Sequence, residues 1–366
     1  MRNAALRRLS LFSAPSAYSR AQAKKRFREG SKRWVKSLIL GVAAAALAVA
    51  GAARAEPVKI RLAWVVPIGN WGSIIYEKKD LMPHYGKSYE VETVHFNATP
   101  PMIAAMAAGE LEIADFAFSS FALAVENAGM SDLRIIADEA QDGVAGYYSG
   151  RYFVLKDGPV RNVEDLKGKI LATVGAGAAV DIPVRALLRK HGLEDRRDYT
   201  TVEAAFPNMT AMLLDHKIDF MPSVLPFARD PRLLQNARSL FTVSDAMGGS
   251  TEFIVWTARQ SFLEKNRAAM VDMLEDAVRV ARFLTDPKNH DEVVALAAKV
   301  SKQPAANLDY VFTKEDNYRD PNMLPNLDTF QRAIDIQRET GFLKNPLDAK
   351  KMADLSLVEE AAKRIK

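Results

Sequence analysis

Hydrophobic and polar positions alternate in short runs from residue 58 onward, and strand-like runs are followed by helical ones. Val58–Val66 (VKIRLAWVV) has the apolar alternation and β-branched content of a strand. Further strands are predicted at Tyr89–Phe96, Ile113–Ala117 and Leu133–Asp138. Helical patterns between them begin near Trp71, Thr99 and Ser119. A repeated order of strand and helix predicts a parallel, twisted sheet covered by helices.

A glycine- and tyrosine-rich segment, Gly143–Gly150 (GVAGYYSG), interrupts this rhythm, and a second series of the same kind follows it. Its strands are predicted at Arg151–Leu155, Lys169–Thr173, Thr200–Glu203 and Ile218–Met221, and its helices at Ala178–His191 and Phe206–Asp215. Met247–Thr251 (MGGST) is a second glycine-rich joint before a strand at Glu252–Trp256. Beyond Trp256 only helices are predicted, at Arg267–Thr285, Glu292–Val300 and Leu327–Thr340.

Two such series joined by two crossovers predict an α/β protein of two lobes. We expect residues 56–149 together with 251–366 to form lobe 1, and residues 150–250 to form lobe 2. The helices after Trp256 would then return to lobe 1 as an outer layer. Ligands of open α/β sheets bind at the carboxyl ends of the strands, so the predicted site is the cleft between the lobes.

Charge is distributed unevenly along the chain. The first 55 residues contain twelve Lys/Arg and one acid, Glu29, whereas the rest contains 38 basic and 44 acidic residues, a net charge of −6. The overall charge of +5 is therefore no argument for nucleic-acid binding.

The basic N-terminal segment has the pattern of a secretory signal peptide. Arg33 and Lys36 precede the apolar run Leu38–Ala50, which is too short for a bilayer span. A small-x-small sequence ends at Ala55, after which we expect cleavage. The basic segment is longer than usual, and we interpret residues 1–34 as preceding the true start of translation. The mature chain is expected in the periplasm.

Two longer segments resemble a known family. Pro100–Gly129 (PPMIAAMAAGELEIADFAFSSFALAVENAG) is similar to the region after the second strand of extracytoplasmic solute-binding proteins. Asp165–Leu193 (DLKGKILATVGAGAAVDIPVRALLRKHGL) is similar to the entry into their second lobe. The sequence most resembles binding proteins of nitrate/sulfonate/taurine-type ABC transporters, from Glu56 to the C-terminus. Glu112 stands where aspartate is commoner in that family.

The resemblance implies a type II periplasmic-binding-protein fold, in which each lobe is a mainly parallel sheet flanked by helices. It also implies hinge closure on one small molecule per monomer and delivery to a permease driven by an ATPase. We expect a small organic anion, a sulfonate or a carboxylate, and no cofactor. The alternatives are an aromatic acid or a heterocycle such as a thiamine precursor, a subunit that feeds a sensor, and, most remotely, a pyrimidine-synthase-like enzyme. That enzyme branch relies on a cysteine-rich segment, and this chain has no cysteine.

The loop after the strand at Lys169–Thr173 has the outline of a phosphate-binding loop. Gly175, Ala176, Gly177 and Ala178 lead into a helical pattern, but Val180 stands where a dinucleotide fingerprint has its third glycine. A Lys-Ser/Thr ending is also missing, so a nucleotide is not expected. Free N–H groups at a helix start favour an anion or a carbonyl. The alternative is a tight turn in which glycine serves packing alone.

Asp181 complicates the anion hypothesis, because its carboxylate competes with an incoming anion and would instead suit a ligand amine.

Other cleft candidates follow the remaining strands. They are Gly69, Asn70, Trp71, Asn97, Thr99, Ser119, Ser120, Tyr148, Pro222, Ser223 and Glu252. Trp71 would cover an apolar part of the ligand, or would belong to the lobe core. Ser119 and Ser120 would donate to the ligand or cap their helix, and both roles are compatible. Arg151 would grip an anionic group, or would be a solvent-exposed hinge charge.

Enzyme and metal chemistry are not indicated by the sequence. No two of the five histidines have metal-ligand spacing, and there is no GxSxG elbow. The sequence therefore predicts a binding protein without a metal site or a catalytic group.

Overall fold

One five-stranded sheet and two smaller ladders, which are joined by a single bridge, organise the chain. The computed structural model describes residues 56–97 and 99–365. Within these residues the ten strands, β1 to β10 in chain order, are Val58–Trp64, Tyr89–His95, Ile113–Ala117, Leu133–Asp142, Arg151–Leu155, Ile170–Thr173, Thr200–Glu203, Met221–Ser223, Ala237–Thr242 and Thr251–Arg259.

Helices cover the sheets and fill the C-terminal third. Within the described residues the ten α-helices, α1 to α10, are Thr99–Ala107, Phe118–Asn127, Asp181–Lys190, Phe206–Leu214, Pro231–Asn236, Val243–Met247, Gln260–Thr285, His290–Ser301, Leu327–Glu339 and Ser356–Arg364. No helix in this part of the chain is long and apolar enough to cross a membrane.

The first sheet has the order β2-β1-β3-β10-β4, with β10 antiparallel to both neighbours. In the second part of the chain β8-β5-β9 form one ladder and β6-β7 another. A parallel bridge between Leu171 and Phe220 joins these two ladders in the order β7-β6-β8-β5-β9. The strand β5, like β10, is antiparallel to both of its neighbours. The α/β fold predicted from the alternating pattern is thus confirmed.

Two segments connect the sheets. Residues 143–150 lead from β4 to β5, and residues 248–250 lead from α6 to β10. The strands of each sheet fall within the segments that the sequence assigned to lobe 1 and lobe 2. The signal peptide and its cleavage point after Ala55 lie outside the described residues.

Three of the predicted elements differ from the structure in ways that bear on function. The helix expected from Trp71 is a series of short 3-10 turns, Trp71–Ser73, Ile75–Glu77 and Lys79–Leu81. The strand expected to end at Asp138 continues to Asp142. The helix expected from Ala178 begins at Asp181.

Candidate functional site

A small cavity lies where the two sheets meet at the crossovers. Its walls come from the end of β4, the β4–β5 crossover, the start of β5, β8 and the start of β10. The lining residues are Asp142, Tyr148, Gly150, Arg151, Tyr152, Val180, Pro222, Ser223, Val224, Val243, Phe253 and Asn317. Its volume of about 30 Å³ is room for about one water molecule. A larger ligand would enter only if the walls separate.

Two hydroxyls on the cavity wall have no hydrogen-bond partner within the described part of the chain. They are the Tyr148 OH and the Ser223 Oγ, and both atoms are buried. A buried hydroxyl without a partner costs about 1–3 kcal/mol, so such groups suit a ligand that supplies the missing hydrogen bonds. Burial also raises the pKa of Tyr148 above its usual range, so its OH is a neutral donor at physiological pH.

Arg151 supplies the positive charge of this cavity. It pairs with Ser223 across the β5–β8 ladder. Its guanidinium lies 5.5 Å from the ring centroid of Tyr148. The residue is exposed. Across residues 56–97 and 99–365, no ion pair or side-chain hydrogen bond involves its guanidinium. Arg151 can therefore accept an anion without first giving up a carboxylate.

Asp142 is the negative group of the same cavity, but its oxygens are already used. One accepts from the Ser149 Oγ at 2.5 Å, and the other accepts from the Gly150 N at 2.7 Å and the Asn317 Nδ2 at 3.3 Å. Burial raises the pKa of Asp142 to about 6. These contacts fix the β4–β5 crossover, so Asp142 acts as a structural acceptor there.

The loop after β1 is bound within its own lobe. The Oδ1 of Asn70 accepts from the backbone N of Val65 and Val66, and its amide donates to Glu139. The carbonyl of Gly69 accepts from Arg319 at 3.2 Å. These two predicted site residues use their polar groups inside the protein.

Trp71 belongs to the core in this conformation. It is fully buried, and its ring stacks on Phe312 with centroids 5.5 Å apart. The guanidinium of Arg319 lies 5.4 Å from the Trp71 ring centroid. Trp71 therefore packs in the core here, and its contact with a ligand stays a prediction.

In the glycine-rich loop after β6, the amides of residues 175–178 all have acceptors, whereas those of Ala179 and Val180 donate to no other described residue. The N of Gly175 donates to Thr173, that of Ala176 to Glu203, and that of Ala178 to the carbonyl of Gly175. The N of Gly177 donates to Asp181 at 2.8 Å. The expected free N–H groups are therefore not found at residues 175–178, because the helix begins only at Asp181 and its carboxylate folds back onto the loop.

Asp181 also forms a buried ion pair. Its Oδ2 lies 2.6 Å from the Nε of Arg185, which in turn binds Asp195 at 2.9 Å. Burial raises the pKa of Asp181, and the charge of Arg185 opposes that rise. A ligand amine at Asp181 would have to displace Arg185.

The remaining predicted residues are spread over the first sheet. Ser119 and Ser120 are buried at the start of α2, and the Ser119 Oγ has no partner among the described residues. Asn97 is exposed and Thr99 is half-buried. The structure therefore brings only Tyr148, Pro222 and Ser223 of the predicted set together around one cavity, beside Arg151.

Glu252 is fully buried beside another carboxyl, that of Asp138. Its Oε2 accepts from the N of Asn326 at 2.7 Å, and Asp138 accepts from the N of Asp320 at 2.9 Å. Burial, and after it the charge of Asp138, raises the pKa of Glu252 well above its usual range. Glu252 thus anchors the residue 320–326 segment to β10, a role that the sequence did not suggest.

A second buried carboxyl pair, Asp115 and Glu139, lies in the same sheet. Burial raises the pKa of Glu139 to about 7, and burial with the charge of Glu139 raises that of Asp115. The sequence did not identify this pair, since carboxylates in a strand pattern give no signal of burial. Among the residues that line the cavity, Phe253 and Asn317 were also not predicted, and neither belongs to a motif.

Comparison with known proteins identifies the family to which this chain belongs. The model of the NMT1-like family matches residues 53–298. The chain belongs to the NMT1-like family. No curated protein matches the sequence significantly.

Many solved structures share the fold of this NMT1-like chain. The periplasmic aliphatic sulphonate binding protein SsuA from Escherichia coli is 20% identical with a TM-score of 0.63, over 81% of this chain and 97% of SsuA. The periplasmic nitrate-binding protein NrtA from Synechocystis is 14% identical with a TM-score of 0.64, over 85% of this chain and 90% of NrtA. The desulfurization enzyme DszB is 14% identical with a TM-score of 0.62, over 84% of this chain and all of DszB.

These similarities establish the two-lobed type II periplasmic-binding-protein fold, as the sequence resemblance predicted. The same fold carries both binding proteins and an enzyme, so function has to be argued from the site.

Proposed function

We propose that this protein is the extracytoplasmic solute-binding component of an ABC importer and that it captures a small organic anion, a sulfonate or a carboxylate, between its two sheets. The observation that carries the proposal is the cavity group formed by Arg151, the Tyr148 OH and the Ser223 Oγ. One guanidinium without a carboxylate partner and two hydroxyls without acceptors match a tetrahedral or planar oxyanion. The binding of sulphonate and nitrate by similar structures agrees with this ligand class.

Capture would require a hinge motion, since the cavity has room for about one water molecule. The two crossovers are the candidate hinges, because they alone among the described residues continue the chain from one sheet to the other. Separation of the sheets would expose Ser223 on one side and Phe253 on the other, beside Arg151, which is already exposed. Closure on the anion would then give the permease and its ATPase a recognisable bound form.

We propose a binding role rather than catalysis. The cavity holds an arginine, two hydroxyls and a carboxylate whose oxygens are already bonded, and this set positions an anion without offering an activated nucleophile. Because DszB shares the fold, an assay of ligand turnover belongs with every binding experiment.

The test is a thermal-shift screen with methanesulfonate, nitrate, acetate and benzoate, followed by calorimetry on the ligands that stabilise the protein. We expect one anion bound per chain. Arg151→Gln should weaken binding about 10- to 100-fold, because a charge-assisted hydrogen bond contributes about 1.5–3 kcal/mol. Arg338→Gln, an exposed arginine outside the cavity, is the matched control and should leave the affinity unchanged.

Stabilisation by sugars or cations alone would contradict the proposal, and so would equal affinities of the wild-type protein and Arg151→Gln. Tight binding of benzoate alone would move the ligand class to aromatic acids.

A further inference from the structure

A cluster of metal-ligating side chains lies in the helical layer of the first sheet and shares no residue with the cavity. His84 lies in the connection between β1 and β2, and Asp272 and Glu275 lie on α7. The His84 Nδ1 is 3.8 Å from the Asp272 Oδ2, and its Nε2 is 3.4 Å from the Glu275 Oε2. One ligand atom from each residue lies within 4.8 Å of the other two. We propose that these three residues bind one Zn²⁺ ion.

The free oxygens of the two carboxylates face the imidazole because arginines hold the other oxygens. The Oδ1 of Asp272 is 3.1 Å from the Nη1 of Arg364, and the Oε1 of Glu275 is 2.9 Å from the Nη2 of Arg279. The Nη1 of Arg364 also lies 3.9 Å from the Glu275 Oε2. Such outer contacts orient metal-binding carboxylates, and the arginines serve as these outer partners here.

Asp276 positions the histidine. It is fully buried, and its Oδ2 accepts from the backbone N of His84 at 3.0 Å and from the Tyr89 OH at 2.9 Å. Its Oδ1 has no hydrogen-bond partner among the described residues. The loop that carries His84 is therefore tied to the helix that supplies both carboxylates. Asp276 also adds a carboxyl group beside the cluster, and one of its two oxygens, Oδ1, accepts no hydrogen bond from the described residues.

Charge and ligand type favour zinc. Three carboxylates, Asp272, Glu275 and Asp276, stand against two arginines, so the neutral-imidazole cluster carries a net charge of −1. One nitrogen and two oxygen ligands suit Zn²⁺, and water completes the coordination.

Only a small adjustment is required. Ligand atoms around Zn²⁺ are roughly 3.3–3.6 Å apart for bonds of about 2.0–2.2 Å, and the Nε2–Oε2 distance already has that value. The Asp272 Oδ2 lies 3.8 Å from the other ring nitrogen, Nδ1, so an ion bound at Nε2 requires the Asp272 carboxylate or the imidazole to turn until both carboxylates face one nitrogen. The sequence analysis predicted no metal site, because His84 and Asp272 are far apart along the chain and form no ligand motif.

The site can be tested by zinc titration of the purified protein, first stripped with a chelator. We expect one tightly bound equivalent and a rise in melting temperature of about 5 °C at a 100-fold excess over the dissociation constant. Co²⁺ should replace Zn²⁺ and give a visible d–d spectrum, because a site of four ligands without a centre of symmetry intensifies these bands. His84→Ala and Glu275→Gln should each remove the tight equivalent and the spectrum.

His191→Ala is the matched control, since His191 faces the single carboxylate of Glu164 at 2.6 Å. It should keep both signals. Circular dichroism of the metal-free variants checks that each one folds. Absence of a tight equivalent in the wild-type protein, or its retention in His84→Ala, would overturn the proposal and leave a histidine in contact with two carboxylates. Either result leaves the anion proposal untouched, because Arg151 and Ser223 are not part of this cluster.

Discussion

Each of the two sheets has one strand, β10 or β5, that is antiparallel to both of its neighbours, but the two sheets satisfy their buried charges differently. In the first sheet the buried carboxyls lie next to one another in two pairs, Asp115 with Glu139 and Asp138 with Glu252. In the second part Asp181 and Asp195 both face Arg185. The buried centre of the second sheet is aromatic, with Tyr152 stacked on Phe220 at 5.6 Å.

This difference decides what each sheet requires to be stable. A carboxylate beside arginine stays ionised when buried, whereas two facing carboxyls must keep a proton between them. Burial tends to raise the pKa of Asp195, but hydrogen bonds from Arg185 and Thr201 bring the pKa below its usual value. The first sheet therefore depends on protons, and the second depends on ion pairs and ring packing.

The largest expected effect is a pH dependence that originates in the first sheet. The folded pKa of Glu139 is about 7, above an unfolded value of about 4.5, so the folded state binds more protons between these values. The stabilisation is complete below about pH 4.5 and is lost as pH rises through about 7. The free energy of unfolding should therefore fall by about 3 kcal/mol as the pH rises through this range. We expect Glu139→Gln to abolish this fall, because the glutamine amide donates to Asp115 without having to bind a proton. Urea unfolding from pH 4 to pH 8 measures it.

Glu110→Gln, at an exposed glutamate, is the control for that experiment and should follow the wild-type profile. A wild-type stability that stays level from pH 4.5 to pH 7 would contradict the assignment of the protons to the first sheet.

Much of the fold followed from the sequence because hydrophobic alternation reports strands directly. Ile113–Ala117 and Arg151–Leu155 have the predicted bounds, since most residues in each of these short runs are apolar. The end of β4 was missed because Glu139 and Asp142 look like solvent-exposed residues, yet both are buried. Burial of a charge depends on partners from distant segments, such as Asn70 and Asn317.

The candidate site was predicted less well, for a related reason. Glycines 175 and 177 suggested free amides, but the carboxylate that satisfies Gly177 comes from Asp181 in the same loop. The contact of this loop with the C-terminal segment comes from Phe342, far along the chain. Of the residues predicted from their position after a strand or at a crossover, Tyr148 and Ser223 line the cavity.

The next effect concerns the glycine-rich loop of the second sheet. Gly177 has φ +77°, and a Cβ there would lie 2.8 Å from the Cδ1 of Phe342. Gly177→Ala should cost about 2 kcal/mol or more, since the left-handed backbone alone costs about 1–2 kcal/mol. A Gly177→Asp variant would therefore disturb the fold itself and is unsuitable as a clean test of ligand binding. Urea unfolding measures the cost.

Gly192→Ala is the matched control for the backbone, because Gly192 has φ +76° with nothing near its Cβ position. The excess of Gly177→Ala over Gly192→Ala isolates the contact with Phe342. Equal costs would show that the C-terminal segment does not press on this loop, and that the second sheet is held by its own contacts.

The smallest effect tests how far aromatic packing alone stabilises the second sheet. The Tyr152 OH donates to the carbonyl of Val180 at 2.9 Å, and its ring packs on Phe241 at 4.7 Å. Tyr152→Phe keeps the ring and leaves the buried carbonyl without this donor, so it should cost about 1 kcal/mol in urea unfolding. Tyr199→Phe, at a second buried tyrosine ring whose OH forms no hydrogen bond with the described residues, should cost less than about 0.5 kcal/mol. Equal costs for the two variants would mean that the Tyr152–Val180 hydrogen bond adds nothing to stability. Ring packing alone would then stabilise this part of the second sheet, in contrast to the carboxyl pairs of the first sheet.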